Sequence, residues 1–450
     1  MSYRHVQPRR HRRPVFLLYL LALLAVVFAV VALVKVIRSP GGIRLGKDDT
    51  PTEQTGDAGS GKSDTTGTGG TTAGTPAPDT ATQRQTLLDE CDLLRRGYFY
   101  DEAIEKLASA GDLKNEETDA LLSKTQAEKA ALVKYDGMQY HVFFHSLIVD
   151  TAKAFDGDKM SEGYNMYMTT VSEFKKMLPL FEQEGYVLYD IMDMVDYQNG
   201  KVTQKDIYLP AGKKPLVISI DDLDYYDYMK EDGFASALDV DADGNVVTIV
   251  NGQPTYDGDV IPILDAYVKE HPEFSWRGAK GIAATTGYAG AFGYRITDLD
   301  QYDAAVGQQM LEKVKQVSAA LRASGWEIAS HSYTHNQYWN KKTMTMDECK
   351  YDTGRWVNEI EPYVGETHIF ISPFGVSFDQ DDPRFQYLLQ NGFYIYCPVD
   401  SNMPTLFHDT NMIQGRLNLD GITMLKYPER VSKYFFDPSL VLDPARPPLS

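Results

Sequence analysis

The sequence predicts an α/β protein whose parallel sheet closes into an irregular (β/α) barrel. Three observations predict it. From Tyr140 onward one unit recurs: an amphipathic helix, a glycine, then an apolar strand. Helices alternating with buried strands argue for a parallel sheet, and about 300 residues with several such units favour a barrel. Four polar clusters each stand directly after an apolar strand, where α/β barrels keep their chemistry.

The elements follow in chain order. Residues 1–14 are a basic tail with Arg4, Arg9, Arg10, Arg12 and Arg13, and Val15 to Val34 is a run of twenty uncharged residues. Such a run crosses ~30 Å of hydrocarbon as a helix, so residues 15–35 are expected to be a transmembrane signal anchor. Only Lys35 and Arg38 follow it. The positive-inside bias then puts the N-terminus in the cytoplasm and the rest outside, giving a single-pass cell-membrane protein with an extracellular C-terminal domain. A cleaved signal peptide is the alternative, but the run is longer than a usual h-region and no A-x-A site follows. Residues 36–86 are expected to be a flexible Gly/Thr/Ser/Asp-rich linker. Gly46 to Thr86 holds no large aliphatic or aromatic residue and cannot bury apolar surface; its reach is roughly 35 Å.

Residues 87–134 read as a short helical spacer. Leu87, Cys91 and Leu94 form one stripe and Ala103, Ile104 and Leu107 another, with Gly97 and Gly111 as breaks. GYFYDEAIEKL resembles half of a tetratricopeptide unit, well below the three or so repeats that stack stably. Residues 135–450 form the domain that carries chemistry. There Thr170 and Glu173 make a capping box, Phe174, Met177, Leu178 and Phe181 a helix face, Gly185 its end, and YVLYDI the strand. MLEKVKQVSAALRASGWEIAS and RFQYLLQNGFYIYC repeat the order. The Pro-rich tail from Asp437 to Ser450 is expected to be an irregular strap.

Charge narrows the partners. The chain has 44 basic and 63 acidic residues, net −19, and residues 1–38 hold seven basic residues and no acidic one. The remaining 412 residues therefore carry −26, which repels phosphate and excludes nucleic acid as a partner. Three well-separated cysteines, Cys91, Cys349 and Cys397, make neither a disulfide framework nor a Cys-rich zinc site.

The four strand-end clusters are His145 after YHVFF, Asp221 and Asp222 after PLVISI, His331 and His335 after EIAS, and SPFG after HIFI. Adjacent aspartates diverge, so one could hold a metal while the other faces a water. His331 and His335 have the i, i+4 spacing that lets two imidazoles reach one ion. Two histidines and one aspartate make a hydrolytic metal site with open positions. Zinc suits this N/O set best among divalent metals, with cobalt, nickel and iron as alternatives.

These residues resemble the polysaccharide deacetylases of the NodB-homology group (carbohydrate esterase family four), over about residues 138–428. Ser219-Ile220-Asp221-Asp222-Leu223 stands where that family has TFDDG, and His331 to His335 is an intact H-[ST]-x-x-H. The resemblance implies Asp221 as general base and Asp222, His331 and His335 as metal ligands. Two departures stand out: Ile371-Ser372-Pro373-Phe374-Gly375 lacks the family's Arg before Pro, and MLKYPER around Leu425 lacks its L-x-H acid motif. The layout is similar instead to the circularly permuted deacetylases of exported poly-N-acetylglucosamine, whose acid histidine comes from an early strand. That resemblance implies His145 as general acid, with His141 as competitor inside the same strand. Tyr333, Pro373 and Phe374 are expected at the substrate, with a backbone N–H near Tyr333 or Phe374 as oxyanion donor, and Arg416 as stand-in for the missing Arg beside Asp221. Its competing reading is a surface arginine beside a turn. Leu223 in place of Gly alters the backbone freedom after the ligand.

Two further features have competing readings. Asp239 to Asn245 looks like half a calcium loop, but Val250 stands at the closing position, and a β-hairpin fits better. Tyr225, Tyr226, Tyr228, Tyr333, Tyr338 and Trp339 lie near the motifs and could stack on sugar faces. The expected function is a membrane-anchored extracellular metal-dependent deacetylase acting on an N-acetylated cell-surface or cell-wall polysaccharide. A non-catalytic glycan-binding module on a degenerate scaffold is the alternative, and hydrolysis of another amide or an ester a third.

Overall fold

The computed structural model describes residues 79–339 and 343–449. The basic tail, the apolar run 15–35 and the linker up to residue 78 lie outside the described residues. Among the described residues no helix is long and apolar enough to cross a membrane.

The first helix, α1 (Thr80–Arg96), begins inside the stretch expected as linker. Asp79 accepts the Thr82 amide at 2.7 Å as its N-cap. Helices α2 (Tyr100–Ala108) and α3 (Glu116–Ala130) follow, and Leu87, Cys91 and Leu107 share a small core. This bundle packs on the domain. Arg96 pairs with Glu273 at 2.7 Å, the Tyr98 hydroxyl donates to the Glu273 carbonyl at 2.7 Å, and Tyr98 and Tyr100 join Val187 and Ile282 in one apolar cluster.

The main sheet has ten strands. They are β1 (Tyr140–Phe144), β2 (Tyr186–Leu188), β3 (Lys214–Ile220), β4 (Gly281–Thr285), β5 (Trp326–Ser330), β6 (Ile369–Ile371), β7 (Ile395–Cys397), β8 (Thr405–Phe407), β9 (Met412–Gln414) and β10 (Leu417–Asn418). The order is β8-β9-β7-β6-β5-β4-β3-β1-β10, with β2 on β3, and every pair is parallel except β8 with β9. The short stretch 412–418 pairs first with β7 (Ile395↔Met412) and then with β1 (Leu417↔Val142), so its two halves bond to opposite ends of the order.

Helices pack where the periodicity expects them. In α4 (Val171–Gln183) the capping box of Thr170 and Glu173 is present, Phe174, Met177, Leu178 and Phe181 are buried, and Gly185 has φ 82° before β2. The helices α5 (Val260–Glu270), α6 (Ala304–Ala323), α7 (Met346–Glu359) and α8 (Pro383–Gln390) precede β4, β5, β6 and β7. One face of the strands, with Leu216, Ile218, Ile328 and Phe370, packs in the large helix-covered cluster. The other face, with Val217, Ile282, Ala329, Ile369 and Cys397, forms a second cluster. Residues 237–255 form a three-stranded antiparallel sheet, and Asp241 accepts the amides of Asp243 and Asn245, each at 2.9 Å, in its first turn. That is the hairpin reading.

Candidate active site and metal centre

Parallel strands put all their C-terminal ends on one edge. Asp221 directly follows β3, His145 directly follows β1, His331 directly follows β5 and Ser372 directly follows β6. Side chains alternate along a strand, so Val217, Ser219 and Asp221 share a face with His141, Phe143 and His145, the pairs His141↔Val217 and Phe143↔Ser219 being in register. The edge therefore collects the three histidines and two aspartates that lay far apart in sequence.

Asp222, His331 and His335 offer ligand atoms all within 4.8 Å of one another. His331 Nε2 is 3.8 Å and His335 Nε2 4.0 Å from Asp222 Oδ1. Three atoms bound tetrahedrally to one zinc stand roughly 3.4 Å apart for bonds of 2.0–2.2 Å, so a closure of a few tenths of an ångström completes the site. His331 Nδ1 lies 2.9 Å from the Ile371 carbonyl. A carbonyl only accepts, so the proton is on Nδ1 and the Nε2 lone pair is left for an ion. Burial pulls the His331 pKa down to about 4 against the attraction of Asp221 and Asp222, which keeps it neutral and ligand-ready. Burial alone would raise Asp222, but His335, His331, His145 and the Tyr226 hydroxyl outweigh it and hold the carboxyl at about 2. The donor set fits a divalent ion.

The loop backbone bends to make this site. Asp222, Ser332, His335 and Phe374 all have left-handed φ, at 55°, 64°, 40° and 55°. Non-glycine residues pay for that conformation and keep it where the surroundings over-determine it. The left-handed position is Asp222 itself and not Leu223, which is buried with its amide on the Ala284 carbonyl at 3.0 Å. The turn after β5 is held by buried Asp352. It accepts from the Tyr333 amide (2.7 Å), the Thr334 amide (2.9 Å) and the Trp339 indole (2.9 Å).

Arg416 is buried and not a surface residue. It lies between β9 and β10, with its Nη1 2.6 Å from Asp221 Oδ1 and 3.0 Å from Ser219 Oγ, its Nε 3.2 Å from the Cys397 carbonyl, and its guanidinium 4.3 Å over the Phe143 ring. Gly415 permits the approach: a Cβ there would meet Pro404 Cδ at 2.7 Å and Asp400 Cβ at 2.8 Å. Below it, His141 is sealed in the interior, with Nε2 3.0 Å from Ser219 Oγ and Nδ1 2.9 Å from Gln414 Oε1. Arg416 donates to Ser219, so the serine hydroxyl can donate to Nε2, and His141 is the neutral Nδ1–H tautomer. Burial, with Arg416 adding to it, drives its pKa well below the ordinary value. A buried neutral imidazole with both nitrogens engaged cannot deliver a proton to substrate. His145, at the strand end, is partly exposed and has Nδ1 3.1 Å from the Tyr167 carbonyl.

Three expectations are corrected. Tyr333 is buried, its hydroxyl on Glu359 at 2.9 Å and its amide on Asp352, so it offers neither a ring to a sugar nor an oxyanion donor. Pro373 is buried and makes no substrate surface. Tyr225 and Trp339 are also buried, and the exposed rings at the edge are Tyr228 (55%), Phe374 (55%) and Tyr288 (44%). Phe374 stacks on His335 at 4.5 Å between ring centroids, and its amide is a first-turn donor without an intrahelical partner.

Sequence motifs did not single out two neighbours of the centre. The Tyr226 hydroxyl donates to Asp222 Oδ1 at 2.7 Å. Asp420, two residues past β10, caps the helix Gly421–Lys426; burial pushes its carboxyl up, against hydrogen bonds from Asn418 and Thr423 and the pull of His145. Tyr226→Phe is expected to weaken divalent-ion binding about 10- to 100-fold with the fold intact, because outer-shell partners orient ligands. Competition against a chelator measures it, and an unchanged affinity removes Tyr226 from the site.

Three solved structures are similar to this chain. One, a de-N-acetylase from Aggregatibacter actinomycetemcomitans, has 16% identity over 63% of this chain and 95% of that one, with a TM-score of 0.38. IcaB from Ammonifex degensii has 12% identity, coverage of 64% and 93%, and a TM-score of 0.35. A polysaccharide deacetylase from Bacillus cereus has 10% identity, coverage of 64% and 65%, and a TM-score of 0.34. No family model matches the chain, and no curated protein matches it.

Among the described residues a second group, Glu182, His271 and Glu273, also has metal-like spacing. Arg96 holds Glu273 at 2.7 Å and the Tyr267 hydroxyl holds Glu182 at 2.7 Å, so those carboxylates are already engaged.

Proposed function

We propose that the protein is a metal-dependent deacetylase that removes N-acetyl groups from a cell-surface or cell-wall polysaccharide. The observation that carries this reading is the convergence of Asp222, His331 and His335 beside an aspartate braced by a buried arginine, all at one sheet edge. The uncharged run Val15–Val34 and the linker after it support an anchored, extracellular placement. The shared pairing of stretch 412–418 supports an irregular barrel.

A divalent ion, zinc by its ligand set, would supply Lewis-acid polarisation of the amide carbonyl and a more acidic water. Asp221 accepts the proton of the attacking water, and Arg416 keeps that carboxylate charged and aimed. Protonated His145 returns a proton to the leaving amine, its ring oriented through Nδ1 on the Tyr167 carbonyl. The Phe374 amide is the available backbone donor for the developing oxyanion. Exposed Tyr228, Tyr288 and Phe374 give an open, aromatic rim suited to a sugar polymer. Arg416 thus takes the place that the resemblance assigns to the missing arginine, reached from another strand.

Metal analysis and acetate release from chitooligosaccharides and peptidoglycan, read in the protein and in His331→Ala, test the proposal. About one ion per chain, lost in the variant together with acetate release, is the expected result. Metal binding and glycan binding with no release from either substrate would instead identify a binding module.

A further inference from the structure

The C-terminal strap reaches back to the catalytic edge. Arg446 is buried there against Glu173, with Nε 2.5 Å from Oε1 and Nη2 2.7 Å from Oε2, at side-chain exposures of 2% and 0%. The same guanidinium spends its remaining donors on backbone. Nη1 lies 2.9 Å from the Asn165 carbonyl and Nη2 2.6 Å from the Met168 carbonyl. Between those residues stands Tyr167, whose carbonyl receives His145 Nδ1 at 3.1 Å. It ends the short helix Ser161–Tyr167, where carbonyls have no intrahelical partner and are free for a side chain.

Two independent features close the clamp. Asn165 Nδ2 donates to the Pro447 carbonyl at 2.9 Å. Opposite, Gly421 leaves the room this packing needs: a Cβ there would stand 1.8 Å from the Asn165 carbonyl oxygen and 2.6 Å from Arg446 Nη1. Glu173 meanwhile keeps its capping bond to the Thr170 amide at 2.8 Å, so one carboxylate fixes both the start of α4 and the arginine. An ion pair serving only to fasten a tail needs none of the three contacts to residues 165–168.

We propose that the strap acts, through Arg446, as a positioning device for His145: it fixes the Tyr167 carbonyl, which fixes the imidazole tautomer and the direction of Nε2. The inference rests on the role of His145 in the proposed deacetylation. Arg446 is a positioning residue and touches no reacting group.

Arg446→Lys is the primary test, because a lysine keeps a cation for Glu173 but lacks the fork that spans two carbonyls. Asn165→Ala is the second variant and leaves the buried ion pair whole. In zinc-loaded full-length protein the imidazole 1H–15N spectrum of His145 is expected to show one Nδ1–H tautomer, and tautomer averaging in both variants. Acetate release from a chitooligosaccharide is expected to lose roughly 10- to 100-fold in kcat, with KM and metal content unchanged, since general acids contribute 10²–10⁴ and small misplacements cost much of it. Restoring arginine at 446 by reversion recovers both. An unchanged His145 spectrum overturns the proposal even where thermal stability drops, as does a rise in KM at constant kcat. Absence of acetate release from the parent protein, with the spectral change present, would count against the deacetylase reading and not against the clamp.

Discussion

Arg416→Met is expected to destabilise the protein by about 3–5 kcal/mol and to abolish most acetate release. Arg416 and Asp221 are a buried ion pair, 0% and 5% exposed in their side chains, at 2.6 Å. Removing one partner of such a pair leaves a buried charge without compensation, which is the costly case. Methionine matches the length of the arginine stem, so the cost is electrostatic and not a cavity. The loss propagates, because Arg416 also donates to Ser219 and Ser219 bridges to His141. Activity falls for a separate reason: the base loses the group that holds its carboxylate in line. The double variant Arg416→Met with Asp221→Asn separates the two effects. Urea unfolding should find it more stable than Arg416→Met alone, since both charges are gone, while acetate release stays lost. Parent-like stability and turnover in Arg416→Met would remove the brace from the mechanism.

What could be read in the sequence was local. The ends of apolar runs are visible one residue at a time, so the placement of His145, Asp221, His331 and Ser372 at strand ends needed no tertiary information. The same holds for α4, whose cap, apolar face and terminal glycine lie within sixteen residues, Thr170 to Gly185. Facing inside loops was not legible. Tyr333 sits in the middle of the histidine motif, yet Asp352, nineteen residues on, claims its amide and turns the ring inward. Pro373 is buried by the same kind of turn, with left-handed Phe374 beside it carrying the exposure. The early start of α1 was missed because its first two turns are polar and exposed; the signal available was Asp79 as an N-cap three residues before Thr82. Pairings across long separations had no local sign. Arg446 meets Glu173 across 273 positions and Arg416 meets Asp221 across 195. Arg416 was reachable only because a motif lacked its arginine and the chain offered one elsewhere.

Acid should weaken the metal-free protein through its two buried neutral histidines. Burial lowers His331 to about 4 and His141 well below 6.5, the latter with Arg416 adding to the effect. Both folded values lie below the unfolded one, so between pH ~6.5 and ~4 the unfolded chain binds protons that the folded chain refuses. Stability is then fully present above the unfolded pKa and falls with pH, by up to about 1.4 kcal/mol per pH unit for each histidine. Other groups pull the opposite way: burial raises Asp224 and Glu327 to about 7 and Asp259 and Asp190 to about 6, so their protonation favours the folded state as pH falls. A raw pH profile mixes these signs, and a difference profile isolates one of them. His141→Gln retains a donor for Gln414 and an acceptor for Ser219 without a titrating ring. His141 lies away from the metal ligands, so ion loss does not enter its difference. Unfolding free energies of the chelated parent and the variant, compared at pH 7.5 and 5, should show the parent losing about 2 kcal/mol more. A difference that stays flat over that range would mean that His141 takes up a proton inside the fold, and the directed chain from Gln414 through Ser219 to Arg416 would have to be drawn the other way.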